Sequence, residues 1–150
     1  MKLLFAAAAI AALPLAAHAD DDAVKAAVEG RVGYMQMIGI NMGTLAGMAK
    51  GEIAYDEAAA VKAATNIEAL SKYDLPGLYI EGSQPAEGID TEALPAIWEK
   101  SAEFAEDFGK FQLAATGLDA AVTGGQANVG AAVGKLGETC KDCHDDFRKK

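Results

Sequence analysis

The chain is poor in the residues that hold metals and move protons: two cysteines and two histidines among 150 residues. Cys140, Cys143 and His144 lie together near the C-terminus, and the second histidine is His18. A structural zinc site takes about four ligands, and no second Cys/His cluster exists to complete one. No strand pattern surrounds the cysteine pair, so it lacks the βαβ context of a thioredoxin-like redox motif. Positive charge is in the minority: 13 basic residues stand against 22 acidic ones, a net charge of −9. Such a surface repels nucleic acid and anionic membranes. The apolar run from Leu3 to Leu15 falls short of the roughly 20 residues that a membrane span needs.

That run reads as the core of a secretory signal. Met1-Lys2 precedes it as a positive segment, and Ala17-His18-Ala19 follows as an A-x-A-like cleavage site. Residues 1–19 are assigned to a signal peptide and residues 20–150 to one domain, large enough for a single core. The expected destination is the bacterial periplasm. Cleavage would remove His18 and leave His144 as the single histidine of the mature chain. It would also remove one lysine and no acid, taking the net charge from −9 to −10. An acidic surface of this kind suits a basic redox partner.

The residues that remain form Cys140-Lys141-Asp142-Cys143-His144, and C-x-x-C-H is the attachment pattern of a c-type haem. Two thiols add to the haem vinyl groups as thioethers, and the adjacent imidazole reaches the iron. An exported C-x-x-C could instead close a tight disulfide. On a helix Cys140, Cys143 and His144 stand at i, i+3 and i+4 and share one face. Arg148 is one turn beyond His144 on that stripe. It is either a partner for a haem propionate or a cation favourable in a helix's last turn.

Helical periodicity dominates the rest. The first helix is expected from about Ala23 to Lys50, capped by Asp21 or Asp22, with an apolar stripe through Val24, Val28, Val32, Met35, Ile38, Met42, Leu45 and Ala49. Asp56 is a good cap for a second helix that stops near Tyr73. Residues 73–91 are irregular, and a connection of that length often covers a site. A third helix is read from Thr91–Pro95 through Phe104, Phe108, Phe111 and Leu113 to about Val122, and a fourth from Gln126 to Lys149. Four helices without a strand signal imply an all-α, antiparallel four-helix bundle, whose cofactor sites lie between facing helices.

The sixth position of a haem iron then needs a ligand. Methionine is the usual alternative to histidine, and Met35, Met37, Met42 and Met48 all lie on the first helix. Met35 is favoured: it is on the apolar stripe, and Arg31 precedes it by one turn, as a propionate partner would. Gly39, Gly43 and Gly47 follow at four-residue steps, each costing a helix about 1 kcal/mol relative to alanine, which suggests close approach by a flat ring or a neighbouring helix. Residues 33–49 carry no charge, so a homodimer through this helix is a second expectation.

These residues resemble the class II c-type cytochromes, the family of cytochrome c-prime and its low-spin relatives. The resemblance rests on the run Cys140 to Arg148, Arg31-x-x-x-Met35, Lys50-Gly51-Glu52 with Tyr55-Asp56, Leu78-Tyr79 with Gly82-Ser83, and Ala96-Ile97-Trp98. It covers essentially the whole mature chain. It implies the antiparallel four-helix bundle, for which cytochrome c-prime is a standard example, and one covalently bound haem c. In high-spin members the iron is five-coordinate and binds nitric oxide or carbon monoxide. In low-spin members a first-helix methionine ligates it and the protein shuttles electrons. Met35 falls on the ligand position of the second group and on the position of a bulky non-ligating residue in the first. The run Met35-Gln36-Met37-Ile38-Gly39 is more similar to the low-spin members. The expectation is therefore a non-enzymatic one-electron carrier with His144/Met35 ligation, the alternative being a gas-binding cytochrome c-prime.

Overall fold

The computed structural model describes residues 16–150, with side chains described from residue 21. The signal-peptide reading of residues 1–19 lies almost wholly outside them. Four long or medium helices carry the fold: α1 (Ala16–Lys50), α2 (Glu57–Ser71), α4 (Ser101–Ala115) and α6 (Gln126–Phe147). Two single-turn helices, α3 (Ala96–Glu99) and α5 (Leu118–Ala121), flank α4, and a 3₁₀ turn spans Pro76–Leu78. No strand forms among the described residues, and one isolated bridge joins Ala93 to Arg148. The arrangement is the antiparallel four-helix bundle expected: α1 packs on α2 and α6, and α4 packs on the same two.

The chain reversals follow local chemistry. α1 ends where Gly51 adopts φ +75°, with Gly51 N donating to Met48 O and Glu52 N to Gly47 O at 3.1 and 2.9 Å. This is the glycine-terminated Schellman motif. A Cβ at Gly47 would stand 2.6 Å from Ile53 Cδ1, so Gly47 serves that reversal. Asp56 caps α2 as the sequence predicts, Oδ1 accepting from Ala59 N at 2.8 Å, a contact typically worth about 1 kcal/mol.

Three expectations are corrected. α1 is already helical from Ala16, the first described residue, so Asp21 and Asp22 lie inside it here rather than capping it. The third helix is not continuous: Lys100, at φ −126° and ψ 44°, separates α3 from α4. Gly117, at φ +71°, then separates α4 from α5. The apolar stripe of α1 is rotated in its first turns. The buried positions are Ala27, Arg31, Tyr34, Ile38, Leu45 and Met48, while Val32 is 42% exposed. Phe104, Phe108 and Phe111 are buried, but Leu113 faces out at 77% exposure.

The main core combines α1, α2, α4, α5 and α6 through residues such as Leu45, Ile67, Phe108, Leu118 and Leu136. Each such side chain, fully buried, contributes about 1.5–3 kcal/mol. A second, smaller cluster of Ile97, Phe104 and Phe147, with Tyr79, Trp98 and Cys143 against it, closes the end of the bundle that carries the C-x-x-C-H run.

Candidate haem site

α6 presents Cys140, Cys143 and His144 on one face, each partly exposed. Both cysteines are free, so the disulfide alternative is not adopted. Cys140 borders the main core, where Met35 of α1 also packs, and Cys143 borders the aromatic cluster. The motif thus faces both apolar regions at once. Among the described residues no group of three or more His, Cys, Asp or Glu side chains is placed to hold a bare metal ion, which disfavours zinc.

The aromatic cluster forms a connected series. The Tyr79 ring meets Trp98 at 5.8 Å and Phe104 at 4.8 Å, and Phe104 meets Phe147 at 5.3 Å, all edge-on. Such pairs contribute about 0.5–1.5 kcal/mol each beyond area burial. Trp98 Nε1 donates to Ile80 O at 3.3 Å. Leu94 N donates to Phe147 O at 2.9 Å and Lys149 N to Glu92 O at 2.7 Å. The end of α6 is thereby tied to the segment 92–98, which fixes the motif's last turn.

Burial sets the protonation of the motif. It pushes the Cys140 thiol up and the Cys143 thiol up to about 11, the latter aided by Asp107, Cys140 and Asp146. Both are therefore neutral thiols at neutral pH. Burial, followed by Arg148, lowers the His144 pKa, against the opposing pull of Glu92 and Asp145. The imidazole is neutral at neutral pH, the form whose nitrogen lone pair binds iron. No hydrogen bond from the described residues engages it.

The two arginines differ sharply. Arg148 is half exposed and reaches Glu92 at 3.9 Å, a contact worth about 0–1 kcal/mol at a surface. Arg31 is 3% exposed. Its Nη1 donates to Ser83 Oγ at 2.8 Å and Leu78 O at 3.4 Å, and its Nη2 to Ser83 O at 2.8 Å and Thr91 Oγ1 at 3.0 Å. Tyr79 and Trp98 lie 4.7 and 5.7 Å from the guanidinium carbon. Every one of these partners is neutral. A buried cation is ordinarily paired with an anion, and the described residues supply none to Arg31. Tyr79 stands between the arginine and the motif, and burial raises its hydroxyl to about 12.

The residues present fit a haem. Two free thiols and an unengaged imidazole share one helix face. Gly137, one turn before Cys140 on that stripe, is half buried, and a Cβ there would meet no atom within 4 Å. A buried guanidinium on the opposite helix lacks a counter-anion. Gly39 and Gly43, expected to admit a flat ring or a neighbouring helix, face outward on α1, away from the bundle interior. Gly137 is the partly buried glycine nearest the motif on its own helix, which sequence reading passed over although Gly130, Gly134 and Gly137 repeat through α6 just before it.

A family model described as Cytochrome C' matches residues 26–148. Cytochrome c' of Cereibacter sphaeroides is 43% identical over the whole chain and 99% of its own length. Cytochrome c-554 of the same organism is 39% identical over 94% of the chain and 92% of its own length. A solved structure of cytochrome c' from Rhodobacter spheriodes superposes with a TM-score of 0.79, covering 85% of the chain and 98% of that protein at 43% identity. With these likenesses added to the bundle and its cysteine–histidine face, the chain belongs to the cytochrome c-prime family and is a haem c protein.

Proposed function

We propose that this cytochrome is an exported, periplasmic one-electron carrier whose iron is held between His144 of α6 and Met35 of α1. The observation that carries the reading is the position of Met35. It is a partly buried thioether on the helix that packs on α6, at the edge of the core region that Cys140 also borders. Arg31 stands one turn before it with a buried, uncompensated charge.

Each side chain has a distinct task. Cys140 and Cys143 form the two thioether bonds that make the cofactor irremovable. His144, kept neutral by burial, donates its imidazole lone pair. Met35 supplies a sulfur ligand, which favours the ferrous state and raises the potential, as does the apolar surround. Arg31 neutralises a propionate from the interior, and Arg148 provides a weaker, exposed cation beside the imidazole. The haem itself supplies a reversible one-electron ferric/ferrous couple. No catalytic residue is assigned, since His144 is committed to iron and no other histidine remains in the mature chain.

A second reading is the high-spin, gas-binding cytochrome c-prime, with Met35 standing over a vacant sixth position. Full-length similarity to a cytochrome c' favours it; similarity to a cytochrome c-554 supports a place among the wider group. The Met35→Ala variant separates the two. Ligation predicts conversion from low-spin to high-spin absorption bands in the variant. An unchanged low-spin spectrum would remove Met35 from the site. A homodimer through α1 is part of the proposal: Met37 and Ile40 are exposed at 48% and 70% on its uncharged outer face.

A further inference from the structure

The first turns of α1 leave apolar side chains outside the core, and they face the irregular segment that Arg31 holds. Between them lies an open groove of about 1000 Å³. Val24, Val28 and Val32 of α1 line one wall, and Ile80 and Ile89 line the other. Its remaining lining includes five carboxylates, on Asp21, Glu29, Glu81, Glu87 and Asp90, against a single cation, Lys25. Lys25 lies 3.9 Å from Glu29, both well exposed. Glu81, Glu87 and Asp90 make no ion pair among the described residues.

The groove is built rather than incidental. Ser83, fully buried, fastens the loop wall to Arg31 through its hydroxyl and its carbonyl. Ile80 is fixed through its carbonyl by Trp98. Arg31 therefore touches the back of this loop while standing between Val28 and Val32 on α1. The groove consequently adjoins the side of the molecule at which the carrier reading places a haem propionate.

We propose that this groove is the docking surface for a basic protein partner. The partner would set an apolar side chain on the valine–isoleucine floor and surround it with lysine or arginine. Charge complementarity decides the occupant: an anionic or neutral polar surface would leave Glu81, Glu87 and Asp90, which no lysine or arginine among the described residues pairs, facing no cation. A carboxylate rim around an apolar centre steers a basic partner and raises its association rate. The proposal rests on the carrier reading, since that reading supplies the need for a redox partner.

The test uses the haem-loaded chain from Asp20 and a dye-labelled amphipathic peptide of alternating lysine and leucine, followed by fluorescence anisotropy. The rim variant E81Q/E87Q/D90N is compared with E99Q/E103Q/E106Q, which removes the same charge from the α3–α4 face. Exposed ion pairs contribute about 0.2–1 kcal/mol each, so the rim variant should bind roughly tenfold more weakly at low salt and the control less than about twofold. Val28→Ser should weaken binding severalfold with the same salt dependence. Equal losses from the two triple variants would overturn the proposal in favour of a general attraction to net charge. So would an unchanged affinity of Val28→Ser, equal binding of a glutamine-for-lysine peptide, or self-association in sedimentation that Val28→Ser abolishes, which would show that the groove holds a second copy. Haem spectra and circular dichroism of each variant establish that it is folded. Carbon monoxide binding by the unmodified protein would defeat the carrier reading separately, leaving the peptide result to judge the groove alone.

Discussion

The two sides of the haem site are constructed in different ways. On the proximal side, one face of α6 aligns the two thiols and the imidazole within five consecutive residues, Cys140 to His144, while Arg148, expected on the same stripe, lies just past the helix end in extended backbone bridged to Ala93. On the α1 side, Arg31 gains its surroundings from residues far along the chain: Leu78, Ser83, Tyr79, Thr91 and Trp98. A covalent anchor tolerates an exposed, locally encoded setting. A buried cation requires tertiary structure around it. The difference predicts that proximal changes abolish cofactor retention, whereas distal changes leave the haem in place and alter folding stability or the iron's spin state.

The largest expected effect is proximal. The double variant C140A/C143A should lose all haem that survives denaturing electrophoresis, read by haem staining; denaturant-resistant haem in that variant would break the account of attachment. The next effect compares the arginines. Arg31→Leu strands the buried hydroxyl and carbonyl acceptors of Ser83, each unsatisfied group costing about 1–3 kcal/mol. It should lower stability by about 2–4 kcal/mol in guanidinium unfolding, against less than about 0.5 kcal/mol for Arg148→Ala at the surface. Equal losses at the two arginines would erase the contrast between the sides.

A smaller effect concerns alkaline pH. Tyr34 donates to Leu70 O at 3.0 Å, and burial raises its hydroxyl to about 12, as it does for Tyr79. A folded-state pKa above the unfolded value of 10.0 favours the neutral form in the native protein. Its contribution is complete below pH 10 and is lost as pH rises toward about 12, because the unfolded state ionises first. Unfolding midpoints should therefore fall across that window, and Tyr34→Phe should flatten the decline. A wild-type slope in Tyr34→Phe would assign the decline elsewhere.

The same contrast explains what was legible in the sequence. The C-x-x-C-H spacing states its own geometry, and the Asp56 cap depends only on neighbouring residues, so these were read directly, as was the end of the first helix at Lys50. The register of α1 was not. Val24, Val28 and Val32 follow a helical period as regular as that of the true core positions, and only the placement of loop 80–90 shows that they line a groove. Arg31 sits on the buried stripe, a position that hydrophobic periodicity passes over. The glycines of α1 and α6 look alike in sequence. Gly47 packs under a chain reversal, Gly39 and Gly43 face outward, and Gly137 is partly buried one turn before Cys140. Which glycine does which depends on neighbours remote in the chain. The break at Lys100 was likewise hidden, because Ile97 before it and Phe104, Phe108 and Phe111 after it keep one helical spacing across it.

The central claim is that the distal side is closed by Met35, and the absorption spectrum of the purified ferrous protein before and after carbon monoxide tests it most directly. Closure by Met35 predicts sharp, split low-spin bands that carbon monoxide leaves unchanged. Broad high-spin bands that shift on addition of carbon monoxide would contradict it and place the chain with the gas-binding members of its family.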